Sequence, residues 1–260
     1  MREDTVQFFH HDGFRLAFRE EGQGEPVLLI HGFASSGRIN WVAPGWFRIL
    51  ADAGYRAVAI DNRGHGNSDK SHDPAVYTPE LMADDAAALL HHLGIEKAHV
   101  MGYSMGTRIS AFMALRVPQM IHTAIFAGLG IGMVRGAGDW QSVAEALLAE
   151  DPATIINPRG LMFRKFADNT KSDRRALTAC VMTSKKELTS NEIHRIIQPV
   201  LVAVGTKDKI AGEPQPLAAL LPRGEVLVIP DRDHMLTVGD KVYKRGVLEF
   251  LRRYPINQTC

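Results

Sequence analysis

Cysteine is almost missing from this chain: only Cys180 and Cys260 occur among 260 residues. Two thiols cannot build a disulfide framework, and the pattern reads as free cysteines in a reducing, cytoplasmic compartment. The metal-ligand spacings of paired cysteines and histidines are missing too, and so is a dinucleotide-type glycine motif, so no metal and no organic cofactor is expected. The glycines at 128, 130 and 132 follow a predicted strand but open no clear helix. Charge of one sign is not in excess: 30 Lys and Arg stand against 29 Asp and Glu. A balance near zero gives no electrostatic reason to expect nucleic acid or an anionic membrane as partner. The first residues, Met1 to Thr5, carry no apolar segment of the kind a secretory signal needs. Cys260 is the last residue and so forms no prenylation box, and the glycosylation triplet at Asn257, Gln258 and Thr259 is read as chance.

One uncharged stretch needs a membrane test. Between Arg116 and Arg135, residues 117–134 contain no Asp, Glu, Lys or Arg, close to the lower limit of about 17 residues for a spanning helix. Pro118, Gln119, His122, Thr123 and the three glycines interrupt it, so it reads as a turn, a buried strand and a glycine-rich loop. No membrane partner is expected.

What remains is an ordinary globular composition, 45% hydrophobic and 23% charged. A chain of this length buries about 70–75% of its unfolded surface, enough to fold without staples. Asp12-Gly13 between two alternating runs marks a hairpin. Short apolar runs then recur at 26–30, 57–60, 98–101, 123–126, 200–204 and 225–229. Helical stretches alternate with them. One opens at Thr78-Pro79-Glu80, a capping residue, a proline at the first helical position and an early acid, and continues to Gly94. Another covers 105–115, and a third runs from about 240 to 251. Strands apolar throughout, alternating with helices, predict an α/β architecture whose parallel sheet is covered on both faces.

The alternation fails between about 130 and 195, where helical patches at 140–148 and 174–181 occur without a strand. This predicts a core of residues 1–130 and 195–260 and a helical insertion over 131–194, read as a cap or lid beside the sheet's carboxyl edge rather than as extra core helices. Its apolar residues Met133, Trp140, Phe163 and Phe166, with Tyr103 and Leu129 from the core, are the candidate substrate pocket.

The chemistry concentrates in Gly102-Tyr103-Ser104-Met105-Gly106. A bare G-x-S-x-G is a weak signal, but here it follows a strand and opens a helix, the context the motif requires. The turn projects Ser104 from the sheet edge, glycines on either side allow strand and helix to approach it, and the helix aims its first amides at the same point. A serine nucleophile needs a base and the base an orienting acid. Three histidines lie downstream, and only His234, in a loop after the last strand, is placed to meet Ser104; His122 starts a strand and His194 lies in a helix. Asp208, in the loop after 200–204, is the acid. Asp231 and Asp233 are too near His234 in sequence and read as loop-shaping or solvated. Oxyanion donors are expected from the backbone N–H groups of Met105, after the nucleophile, and Phe33, in the loop after the strand at 26–30. Gly32 permits the turn there, and His31 is expected to fix the loop by hydrogen bonding.

In this order the motifs resemble the α/β-hydrolase superfamily: His31-Gly32-Phe33, Asp61 to Ser68 (reading Asp-Asn-Arg-Gly-His-Gly-Asn-Ser), the serine pentapeptide, Gly205 to Asp208, and Asp233-His234. The resemblance spans residues 30 to 234. It implies a mostly parallel eight-stranded sheet with an inserted helical cap, a triad of Ser104, His234 and Asp208, and Phe33 and Met105 as oxyanion donors. It assigns Arg63 and His65 to a turn beneath the active site. Thr107 stands where many relatives carry a second glycine, and 231–233 lacks the glycine often found before the base; neither change removes a reacting group. A serine at the elbow argues against the branches that use an aspartate nucleophile.

Together these readings predict a serine hydrolase acting on a small, largely apolar carboxylic ester, with an acyl-serine intermediate and a small molecule as its only partner. The sequence leaves open a lactonase, a thioesterase, a C–C bond hydrolase of aromatic degradation, or a slow-turnover ligand receptor. It leaves oligomeric state open between monomer and homodimer. Arg135, Arg159, Arg164 and Lys165 are read either as a solvated face or as partners for a substrate carboxylate.

Overall fold

A computed structural model describes residues 5–256. The glycosylation triplet and Cys260 lie outside the described residues. Eight strands form one sheet: β1 (Gln7–His11), β2 (Phe14–Glu21), β3 (Glu25–Ile30), β4 (Tyr55–Ile60), β5 (Ala98–Tyr103), β6 (Ile121–Ala127), β7 (Val200–Gly205) and β8 (Gly224–Ile229). Their order is β1-β2-β4-β3-β5-β6-β7-β8. The β1–β2 hairpin turns at Asp12-Gly13 and β2 joins β4 antiparallel; every pairing from β4 to β8 is parallel.

The apolar runs are continuous because both faces are covered. Side chains alternate between faces of a strand, and the two sets enter different cores. Leu28 and Ile30 of β3, Val100 of β5 and Val202 of β7 pack on one side. Val27 and Leu29, Met101, and Leu201 and Ala203 pack on the other. The first side holds α2 (Pro79–His92) and α3 (Met105–Arg116); the second holds α1 (Trp46–Asp52) and the C-terminal helix. Thr78 caps α2, its hydroxyl accepting from Leu81 N–H at 3.3 Å, with Pro79 at the first position.

Five helices intervene between β6 and β7: α4 (Gly132–Arg135), α5 (Gln141–Leu148), α6 (Pro158–Asn169), α7 (Arg174–Thr183) and α8 (Ser190–His194). The expectation that the glycine-rich loop opens no helix is corrected by the single turn of α4. Helix α9 (Pro214–Leu220) follows β7, and α10 (Lys241–Arg253) follows β8 with Asp240 as its cap, accepting from Val242 N–H at 2.7 Å. Among the described residues no helix is long and apolar enough to cross a membrane; residues 117–134 divide into a 3₁₀ turn, β6, a loop and α4.

The core contains polar groups that must stay uncharged. His99 on β5 is fully buried, its Nδ1 2.7 Å from Thr123 Oγ1 and its Nε2 3.4 Å from Glu25 Oε2. Burial is the larger effect and brings its imidazole down to about 4; burial brings His65 to about 3 and also lowers His31 and His122. The unfolded chain therefore binds more protons than the folded one between about pH 4 and 6.5, and stability must fall as pH falls through that window. Each such histidine contributes a slope of up to about 1.4 kcal/mol per pH unit. The melting temperature is expected to drop steadily from pH 6.5 to 4, and less steeply in His99→Gln, as calorimetry across that range would show. A flat wild-type profile contradicts this assignment.

Candidate active site

The parallel strands β3, β5, β6 and β7 end side by side, and the loops after β3, β5 and β7, with the loop after β8, bring the predicted site residues together. Ser104 occupies the turn between β5 and α3 at φ 54°, ψ −112°, a region L side chains rarely adopt. The glycines around it are required by contact rather than by their own dihedrals. A Cβ on Gly102 would lie 2.3 Å from Gly106 O, and one on Gly106 would lie 2.0 Å from Ile30 O. Ser104 N–H donates to Ala127 O at 2.7 Å, tying the turn to β6. The Thr107 hydroxyl lies 2.9 Å from Gly102 O and 2.7 Å from Ala127 O. The threonine thus seats a hydroxyl on two strand carbonyls.

Ser104 Oγ lies 3.0 Å from His234 Nε2, and His234 Nδ1 lies 2.8 Å from Asp208 Oδ2. The Asp208 side chain is fully buried, and its other oxygen accepts from the N–H groups of Ile210 (2.9 Å) and Ala211 (3.0 Å). A carboxylate fixed on both oxygens holds one ring edge of His234, so the opposite nitrogen faces Ser104 as an acceptor. The Tyr103 hydroxyl donates to His234 O at 2.5 Å, which fixes the loop as well as the ring. Asp233 Oδ1 accepts from Met235 and Leu236 N–H, and exposed Asp231 pairs with Lys207 at 2.9 Å. Both serve the loop, as their nearness in sequence suggested.

The loop after β3 approaches Ser104 closely. A Cβ on Gly32 would lie 3.4 Å from Ser104 Cβ. The left-handed residue of this loop is Ala34, φ 59°, so the expectation that Gly32 supplies the unusual turn is corrected: Gly32 supplies space. Asn40 Oδ1 accepts from Gly32 N–H at 2.8 Å. His31 Nδ1 donates to Gly32 O at 2.7 Å while its Nε2 accepts from Asn62 N–H at 2.9 Å, which requires a neutral ring, and burial lowers its pKa accordingly. Among the described residues, the N–H groups of Phe33 and Met105 donate to no loop or turn carbonyl.

Beneath this loop the 61–68 segment is a built support. Asp61 accepts from Gly37 N–H (2.7 Å) and Asn67 N–H (2.9 Å). Arg63 is fully buried and grips Asp85 with Nε (2.6 Å) and Nη2 (2.7 Å). The His65 ring packs 5.2 Å from His31 and 5.9 Å from Phe33.

Two chambers meet at Ser104 and Phe33. The wider, about 310 Å³, is lined by His234, Tyr103, Gly32, Phe163 and Phe166, with Met235 and Leu236 from the base's own loop. The narrower is lined by Met105, Leu129, Trp140, Val181, Ile210 and Arg108. Of the pocket residues expected from sequence, only Met133 lines neither. It is fully buried in the core, and its carbonyl accepts from Leu188 N–H at 3.1 Å and Arg108 Nη1 at 3.2 Å. The four cations singled out in the insertion line neither chamber. Arg164 is spent on Asp168 and the Ala146 and Ala149 carbonyls, Arg159 stacks 4.1 Å from the Trp140 ring centroid, and Arg135 and Lys165 are exposed. The sequence reading missed Arg108. Its signal was there, a charge four residues after the nucleophile on a helix that is otherwise buried. Among the described residues no cluster of His, Cys, Asp or Glu could hold a metal.

Comparisons with known proteins bear on the fold and the family. A non-heme chloroperoxidase of Kitasatospora aureofaciens is 25% identical over 280 aligned residues, covering 93% of this chain and 98% of its own. A hydrolase from Pseudomonas aeruginosa superposes with a TM-score of 0.79 at 24% identity, over 96% of this chain and 99% of that one. An esterase from Thermogutta terrifontis superposes with a TM-score of 0.73 at 25% identity, over 96% and 97%. The family model of the α/β-hydrolase fold matches residues 25–160, and these findings support a hydrolase. With this match and a mostly parallel eight-stranded sheet, the chain belongs to the α/β-hydrolase fold family.

Proposed function

We propose that the protein is a serine hydrolase that cleaves a small carboxylic ester through an acyl-serine intermediate. The observation that carries this reading is the unbroken line from Asp208 through His234 to Ser104 Oγ, at 2.8 and 3.0 Å, ending where the two chambers meet. His234 takes the Ser104 proton as Oγ attacks the carbonyl carbon. Asp208 stabilises the imidazolium without taking its proton. The oxyanion forms against the N–H groups of Phe33 and Met105, backbone donors whose fixed dipoles keep the cost of reorganisation low. His234 then returns the proton to the leaving oxygen. Water, activated by the same nitrogen, attacks the acyl-serine and frees the acid and Ser104.

The leaving oxygen must face His234 to receive that proton, so the alcohol half lies in the wide chamber that His234 lines and the acyl half in the narrow one. Apolar walls from Phe33, Phe163, Phe166 and Trp140 favour substrates of mainly apolar body. Residues 131–194 serve as the cap of this site: Trp140, Phe163, Phe166 and Val181 bring its walls from α5's N-terminus, α6 and α7. The esterase among the solved structures the chain resembles supports ester hydrolysis. A cytoplasmic location fits Cys180, a free thiol that is fully buried.

The test is a panel of p-nitrophenyl esters of rising acyl length with one lactone and one thioester. Wild type is expected to turn over many times with a preference for short acyl chains. Ser104→Ala should fold normally and lose at least about 10³-fold in kcat, and Asp208→Asn about 10⁴-fold through the wrong histidine tautomer. Ser104→Ala retaining wild-type turnover would overturn the reading.

A further inference from the structure

Four arginines of the described chain are buried: Arg19, Arg63, Arg108 and Arg164. Three have a carboxylate within ion-pair distance, Arg19 with Asp61, Arg63 with Asp85 and Arg164 with Asp168. Arg108, 4% exposed, has none that close among the described residues; the carboxylate that acts on it, Glu187, is exposed and lies beyond that distance. A buried cation without a close counter-charge is costly, and the usual remedies are pairing or loss of the proton. Burial does draw its pKa down, but only to about 10, so it stays cationic at neutral pH.

The hydrogen bonds of Arg108 leave one edge unused. Nη1 donates to Met133 O at 3.2 Å and to Lys186 O at 2.5 Å, which orients the guanidinium plane. Among the described residues Nε and Nη2 donate to nothing. These two parallel N–H groups form the edge that Arg63 presents to Asp85 and Arg116 presents to Asp84, two nitrogens to two carboxylate oxygens in each case. The side chain lines the narrow chamber, one helical turn beyond Ser104 on α3, with Ser184 and Lys185 beside it and apolar walls between it and the nucleophile.

We propose that Arg108 receives a carboxylate carried on the acyl half of the substrate, so that the enzyme selects half-esters of short dicarboxylic acids. This rests on the serine-hydrolase reading, which puts the acyl half in that chamber. The chamber's narrow bore limits the acyl arm to a few carbons, and its mainly apolar walls strengthen a bidentate carboxylate pair. Arg108 is here a specificity-determining residue; the reacting atoms are handled by Ser104, His234 and the two amides.

The test compares monomethyl glutarate with methyl pentanoate, a pair matched in chain length, by pH-stat, and glutarate with pentanoate by calorimetric titration into Ser104→Ala. Wild type should favour the half-ester by about 10- to 100-fold in kcat/KM. The ratio should collapse in Arg108→Met and recover in part in Arg108→Lys, which keeps the charge but not the fork. Glutarate should bind Ser104→Ala at least about tenfold tighter than pentanoate. A wild-type preference for the neutral ester, with no preference for glutarate in binding, overturns the inference while leaving serine hydrolysis standing. So does an equal loss on both esters in Arg108→Met with the ratio kept, which would make the arginine only a brace for α4 and the 184–187 turn. If Arg108→Met does not fold, the wild-type ratio and the Ser104→Ala titration decide alone. Absence of ester turnover together with Arg108-dependent glutarate binding would keep the anion site and overturn the hydrolase reading instead.

Discussion

Ser104 is held in a backbone conformation it would not choose. A non-glycine residue at positive φ costs on the order of 1–3 kcal/mol and persists only where its surroundings over-determine it. Here the surroundings are contacts that leave no slack. Gly102 and Gly106 face each other too closely for a side chain on either, and Gly106 lies against the end of β3. The Ser104 amide is anchored on β6. The position of Ser104 is therefore set by three adjacent strands at once. The rest of the site is arranged around that fixed point: the Phe33 loop leaves β3, Asp208 follows β7, and His234 follows β8.

The supporting shell handles charge by two different rules. Histidines near the site are kept neutral by burial, His31 and His65 among them, and act as fixed hydrogen-bonding struts rather than as acids or bases. Arginines are kept charged and are matched one by one to carboxylates. The Arg63–Asp85 pair is wholly buried and braces the turn under the oxyanion loop. Removing one member of such a pair leaves the other buried and unpaired, typically a loss of about 3–5 kcal/mol. Arg108 departs from the rule at the wall of the narrow chamber beside Ser104, where its free edge faces the site.

Much of this was legible in the sequence because the relevant signals are local. Each strand is a short apolar run, and a strand with both faces buried leaves no alternation to misread. The elbow is a pentapeptide between a strand and a helix, and its glycines are there for contacts that any such turn must make. Asp208 and His234 follow from chain order and from lying just past strand ends. What was not legible depends on contacts between distant segments. Met133 has the same apolar character as Leu129 and Trp140, and only the packing of α4 against the core removes it from the pocket. The left-handed residue of the oxyanion loop is Ala34, which carries no compositional mark, whereas Gly32 carries one for a different reason. Arg164 and Arg108 are alike as letters. One meets Asp168 a single helical turn away, and the other meets only carbonyls and an open chamber.

The central claim is that Ser104, activated by His234, becomes acylated. Rapid acid quench of wild type mixed with p-nitrophenyl acetate, followed by peptide mass spectrometry, tests it most directly. The account predicts one acetyl group on the peptide containing Ser104, at Ser104 itself, rising within the first turnover and absent from His234→Ala. Steady product release with no label on that serine, or a label on any other residue, would contradict it.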